Sequence, residues 1–148
     1  MNLVKNIKVT RVMNAVAAGT GDTQTGTGVN MQGFEGVIFI AEFGTLTAGA
    51  VTALKAQQSS DNGSSDAYAD LSGTAQSIVD TAGNDCLVLD IYRPAERYVR
   101  PAITRATANA VIDSVIAIQY GARKMPTTND AATVAGTETH VSPAEGTA

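Results

Sequence analysis

Four arginines, Arg93, Arg97, Arg100 and Arg105, crowd one short stretch of the chain, with Asp85, Asp90, Glu96 and Asp113 near them in sequence. Guanidinium groups grip carboxylates and phosphates through forked pairs of N–H donors. The first expectation for such a group is pairing with its own neighbouring acids. The second is contact with an acidic patch on a partner subunit, and nucleic acid ranks third. Arg93 and Arg97 flank a turn, and Arg100 and Arg105 lie one to two β-steps further on, a spacing that would gather all four at one end of a sheet. They are the candidate partner-binding residues.

Nothing else in the chain assembles into a catalytic set. A nucleophile triad needs a histidine against its serine or cysteine, and the single histidine, His140, lies in a polar C-terminal tail. Zinc wants three or four Cys, His or carboxylate ligands, whereas one Cys and one His are present. Cys86 precedes an apolar run and is expected to be a small buried hydrophobe. Gly19, Gly21, Gly26 and Gly28 lack the Lys followed by Ser or Thr, and the helix N-terminus, of a phosphate loop. Asp61, Asn62, Gly63 and Asp66 lack the distal bidentate glutamate of a calcium loop and read as an ordinary turn. No aromatic-rich sugar platform accompanies any pair of acids. The residues therefore predict no catalytic site, no cofactor and no metal.

Composition narrows the class. The 148 residues suit one domain; 44% are hydrophobic but only 5% are aromatic, with no Trp, so a core must come from Val, Ile and Leu with a few Phe and Tyr. A net charge of −4 with 16% charged residues argues against a general nucleic-acid binder. No run approaches the ~20 apolar residues of a membrane span, and the alternating N-terminus does not read as a signal peptide. Residence in a cytosol is the default.

The elements that must position the arginines are β-strands. Val4, Ile7, Val9 and Val12, interleaved with Lys5, Lys8 and Arg11, predict a bulged strand. Residues 17–28 carry four glycines and no large apolar side chain, and predict a long loop. Gly36 to Phe43 is the clearest strand, apolar on both faces until Glu42, as a strand covered on both sides or lying at a subunit contact would be. Leu46 to Gln58 fits helix or strand by periodicity. The Asn62-Gly63 pair behind it decides for strand, because it predicts a hairpin whose return arm is Ala67 to Leu71.

Residues 73–85 form a connection. Asp85 to Gly121 then reads as the centre of the sheet, with strands at Cys86 to Tyr92, Arg97 to Thr104 and Val111 to Tyr120. Pro101 marks the middle one as an edge or a bulge. Ile112, Ile116, Ile118 and Tyr120 fall mostly on one face of the last strand, with Asp113 and Gln119 opposite. Beyond Arg123 only Met125, Val134 and Val141 are large and aliphatic. That tail is expected to order only against a partner. The organisation is a β-domain over 1–122 and an extended or disordered arm over 123–148.

The run YRPAERYVRPAITRATANAVIDSVIAIQYGARKMP, Tyr92 to Pro126, resembles the C-terminal half of capsid decoration or cement proteins of tailed bacteriophages. The hairpin QQSSDNGS at Gln57 to Ser64, the RYVR strand at Arg97 to Arg100 and the closing AIQYG at Ala117 to Gly121 carry the likeness. The resemblance implies an all-β antiparallel β-sandwich or jelly-roll-like module with an extended C-terminal arm. It implies a homo-oligomer, dimer or trimer, made in the host cytoplasm and seated on the virion's capsid surface, where it bridges major capsid protein subunits. It implies no enzyme activity and no nucleic-acid or membrane partner. A head-fibre or tail component that binds a host receptor or glycan is the alternative, and an enzyme on a β-sandwich is a third.

Overall fold

The computed structural model describes residues 2–147; Met1 and Ala148, the outermost residues of the domain and arm expected above, lie outside the described residues. A 3-10 turn at Leu3–Lys5 leads into eleven strands: β1 (Lys8–Met13), β2 (Val16–Gly19), β3 (Asp22–Thr25), β4 (Val29–Asn30), β5 (Gly36–Leu46), β6 (Val51–Ser59), β7 (Ala69–Asp70), β8 (Gln76–Ile78), β9 (Cys86–Tyr92), β10 (Tyr98–Ala106) and β11 (Ala110–Tyr120). They form two antiparallel sheets. Sheet A runs β1-β11-β5-β9, with β2 also on β11; sheet B runs β3-β10-β6-β7, with β4 also on β10 and β8 on β6.

Taking β1 with β2, β3 with β4 and β7 with β8 as interrupted single strands gives an order of one-eight-three-six in one sheet and two-seven-four-five in the other. That is the connectivity of a jelly roll, in which the chain passes back and forth between the sheets and two Greek keys interlock. The sheets meet over Val37, Phe39, Ala41, Phe43, Ile112 and Val115 from sheet A and Leu54, Ala56, Val99 and Ile103 from sheet B, all at most 1% exposed. β-Branched and aromatic side chains on alternate positions make this interior, as a pleated strand with one inward face requires.

Several elements depart from the sequence-based expectation, each for a physical reason. The N-terminal strand begins at Lys8 after the 3-10 turn, and its bulge lies between Arg11 and Met13. Residues 17–28 are not one long loop: β2 pairs with β11 and β3 with β10 as the chain crosses from sheet A to sheet B around Gly21, so tertiary pairing imposes strand on residues of poor propensity. Asn62 and Gly63 both take positive φ, 63° and 80°, but within a longer loop organised by Asp61. The Asp61 carboxylate accepts N–H bonds from Ser64, Ser65 and Asp66, with that of Ser65 the main cause of its lowered pKa.

Pro101 lies in the middle of β10, a central strand of sheet B, and not on an edge. Its carbonyl accepts Gly26 N–H at 2.9 Å. The N and C=O of one strand residue point the same way, so the missing proline donor faces the gap where β3 has ended and β4 has not begun. Gly26 makes the approach possible, since a Cβ there would lie 2.7 Å from Pro101 Cγ.

β11 turns its faces over. Register shifts between Ala110 and Ser114 leave Ile112 inside but send Ile116, Ile118 and Tyr120 outward, while Gln119 is 1% exposed and donates to Asn30 O at 2.8 Å. A one-residue slip exchanges the two faces of everything beyond it. Cys86 is exposed at the start of β9 rather than buried.

The C-terminal segment is not loose over its first part. Thr127 N–H bonds Lys5 O at 2.9 Å, its hydroxyl donates to Ile7 O, and Asn129 Oδ1 accepts Val9 N–H at 2.7 Å. Three polar contacts thus hold the segment beside the start of β1 and the residues just before it, so little apolar burial is needed. From Thr139 to Thr147 the residues are exposed.

Candidate partner-binding surfaces

The four arginines do not gather. Arg97 and Arg105 bracket opposite ends of β10, a nine-residue strand, and so stand about 25 Å apart at ~3.3 Å per residue.

Arg105 is structural. It is 4% exposed, and its cross-strand neighbour on β3 is Asp22. Nε and Nη2 fork onto the Asp22 carboxylate at 2.8 and 2.6 Å. Nη1 donates to Ala17 O and Ala110 O, both at 2.8 Å, and these belong to strands of the opposite sheet. One guanidinium therefore ties the two sheets at this end, and it offers nothing to a partner. Its hydrogen bonds hold Asp22 down from the ordinary 3.8 to about 2. This acid lies far from Arg105 in sequence, so the choice among neighbouring carboxylates could not have found it.

Arg100 lies on the outer face of sheet B. Its guanidinium sits 4.0 Å from the centroid of the Tyr68 ring, and Nε donates to Gln57 Oε1 at 2.8 Å. Tyr68 in turn donates its hydroxyl to Asn62 Oδ1 at 2.6 Å. Arg100 thereby pins the β6–β7 loop to the sheet.

Arg93 and Arg97 remain together, at the end of the sandwich where β9 stops and β10 begins. They rim an open cleft of about 610 Å³ with Met31, Phe34, Glu35, Glu96 and Arg123. Backbone bonds fix its walls: Arg93 N–H to Glu35 O at 2.7 Å, Met31 N–H to Arg97 O at 2.7 Å and Arg123 N–H to Gly33 O at 2.9 Å. Arg93 has φ of 51°, a left-handed conformation that costs a non-glycine residue about 1 kcal/mol or more and persists where surrounding bonds impose it. Among the described residues, none of Arg93, Arg97 and Arg123 forms an ion pair. Arg123 escaped the sequence reading because it follows the last strand and joins the cleft only through folding.

A second surface is the outer face of sheet A. Register places Val9, Ile118, Ile38 and Asp90 in one row across β1, β11, β5 and β9, and Arg11, Ile116, Ile40 and Val88 in the next. Opposed residues share a face, so four isoleucines form an outward block with valines on either side. Val88 is 53% and Tyr92 56% exposed. Tyr120 closes one end of the block: its ring crosses Gly36, where a Cβ would come within 2.3 Å of it, and its hydroxyl donates to Asp90 Oδ1 at 2.8 Å. Burial, with help from Asp90, pushes the phenol up to about 12. Ser114 donates to Glu42 Oε2 at the other end at 2.5 Å.

Among the described residues no group of three or more His, Cys, Asp or Glu is placed to hold a metal ion, and no helix is long and apolar enough to cross a membrane. No protein-family model matches the chain, and no curated protein matches it. Among solved structures the chain is similar to dimeric latent PorU from Porphyromonas gingivalis, at 12% identity and a TM-score of 0.41, over 78% of this chain and 12% of that one.

Proposed function

We propose that the protein is a virion structural protein: a capsid decoration or cement protein that sits on the outside of a tailed-phage head and bridges major capsid protein subunits. The observation that carries the reading is the cleft at the β9–β10 end, where Arg93, Arg97 and Arg123 converge without a carboxylate of their own chain in salt-bridge contact. Arginines held in place by backbone bonds suit an acidic patch on a partner subunit, because forked N–H donors lose little freedom on pairing. The jelly roll and the resemblance of Tyr92 to Pro126 to such proteins support the same reading. Each copy would add a modest contact, and many copies on one lattice would sum to a stable shell without any chemical step.

The test is co-sedimentation of the purified protein with undecorated heads, followed by heating of the decorated particles. Saturable binding and DNA release at higher temperature are expected, and replacing Arg93, Arg97 and Arg123 together by Ala should weaken binding by about tenfold or more. Heads that never retain the protein overturn the proposal. Retention on host cells instead of heads would favour a fibre or tail component that binds a receptor or glycan.

A further inference from the structure

We propose that the outer face of sheet A pairs with the same face of a second copy, about a two-fold axis parallel to the strands. The proposal stands on this face alone and does not depend on the role in a phage head.

An outward block of four isoleucines in the middle of a sheet is what an interior face looks like, not a solvated one. β5 is β-branched or aromatic on both sides: Val37, Phe39 and Phe43 fill the sandwich, and Ile38 and Ile40 point away from it. The opposite exterior, on sheet B, shows how this fold makes a solvated surface. There most outward positions are small or polar, such as Thr104, Lys55 and Gln57, with Val51 and Tyr98 near the strand ends as the exceptions. Sheets stacked face to face bury such side chains between them at about 10 Å separation.

The charges around the block select the occupant. Arg11 bounds it on β1, and Asp90 bounds it on β9 at the far side. Among the described residues Arg11 has no ion-pair partner. A self-complementary face needs opposite charges on opposite edges. A two-fold parallel to the strands lays β1 of each copy on β9 of the other and β11 on β5. Arg11 then faces the partner's Val88, one same-face step from Asp90 and within an arginine's reach of it, twice over; Ile116 meets Ile40, and Ile118 meets Ile38. Glu42 falls on Ser114 rather than on another acid. A two-fold across the strands would instead set β1 on β1 and Arg11 against Arg11, which like-charge repulsion disfavours.

The face covers four strands at ~4.8 Å and about 20 Å of strand length, a footprint of about 400 Å² per copy. A standard stable interface buries about 800 Å² per partner. The pair is therefore reversible in dilute solution.

Sedimentation equilibrium of the full chain from about 1 μM to about 500 μM tests this. The mass should rise from one copy to two, and Ile116→Asp should hold it at one copy throughout. Because a carboxylate on the sheet can disturb folding, Ile40→Thr, which keeps a β-branched residue, should reduce self-association at least about tenfold with an unchanged thermal transition. Arg11→Cys with Val88→Cys, in a Cys86→Ser background, should oxidise to a linked dimer, while neither cysteine alone does so. A wild-type chain that stays at one copy at every concentration overturns the proposal. So does a dimer indifferent to Ile116→Asp and Ile40→Thr, or a trimer. Linking by Arg11→Cys alone would replace the proposed axis with the one across the strands. A protein that pairs in this way and ignores phage heads upholds this inference and sinks the decoration role; one that coats heads but never pairs does the reverse.

Discussion

In the Arg105–Asp22 ion pair the guanidinium is buried and the carboxylate is about one-third exposed, and their behaviour follows from what each would lose. Replacing Arg105 by Ala removes four hydrogen bonds and leaves the buried Ala110 carbonyl without its donor. A loss of about 2 kcal/mol is expected from the unpaired groups left inside, readable as a lower denaturant midpoint with an unchanged slope. The pair also makes stability depend on acid. Asp22 binds its proton less readily folded, at about 2, than unfolded, at 3.8. Its contribution is complete above about pH 4 and drains away as the pH falls toward 2. Asp70, lowered chiefly by its bond from Lys55, and Asp61 add in the same direction. Thermal unfolding followed from pH 6 to pH 2 should show a steep fall below pH 4, and Asp22→Asn should flatten it from a lower starting point. At Gly36 the Tyr120 ring occupies the place of a side chain, so Gly36→Val should cost about 1–3 kcal/mol through crowding.

At the scale of elements, the long strands were legible, while the short β2 and β3 within 17–28, β8 within 73–85 and the facing of β11 were not. Gly36 to Phe43 and Cys86 to Tyr92 announce themselves by β-branched and aromatic runs between turn residues, and both became strands with little change. Asn62-Gly63 fixed the β6–β7 hairpin because few other pairs take two positive φ values in a row. β11 defeated the reading because its bulge leaves no local signature, so Gln119 went inside and three large side chains went out. Pro101 misled for a related reason: whether a proline can sit in a central strand depends on a gap between β3 and β4 that another part of the chain creates. The candidate site was half legible. Arg93 and Arg97 were named and do share a cleft, but Arg100 and Arg105 had partners distant in sequence, and Arg123 joins them only in three dimensions. The C-terminal segment carries its own prediction. Removing Pro126 onward strips Thr127 and Asn129 from the outer side of β1. The sandwich should still fold, since its interior is untouched, with a thermal transition lowered by a few degrees. Circular dichroism and melting of the shortened chain would measure both.

For the whole molecule, the two exteriors divide the work. Sheet B presents a largely polar surface; sheet A presents an apolar one with opposite charges at its edges; the arginine cleft opens at an end and adjoins the sheet A face, where the Arg93 guanidinium lies 5.0 Å from the centroid of the Tyr92 ring. A body built this way can meet a copy of itself through one face and a different subunit through its end, with Arg93 and Tyr92 at the boundary between the two. The expected self-association and the expected attachment to a lattice are therefore separable by mutation: changes at Ile40 and Ile116 should spare one, and changes at Arg93, Arg97 and Arg123 should spare the other.

The strand-like hold of Thr127 and Asn129 on β1 has a consequence for growth. Among the described residues, no strand pairs with β9 beyond β5, while the start of β1 is held: Asn129 takes the Val9 N–H, and Thr127 the carbonyls of Lys5 and Ile7 just before the strand. Counted as a valence for adding strands, sheet A has one open arm and one blocked at its start. A unit with a single valence can couple once and must then stop; a unit with two can chain without limit. The C-terminal segment, lying across the start of β1, should hinder strand addition there, and a preparation in which it has been clipped should form fibres more readily than the full chain, as light scattering would show.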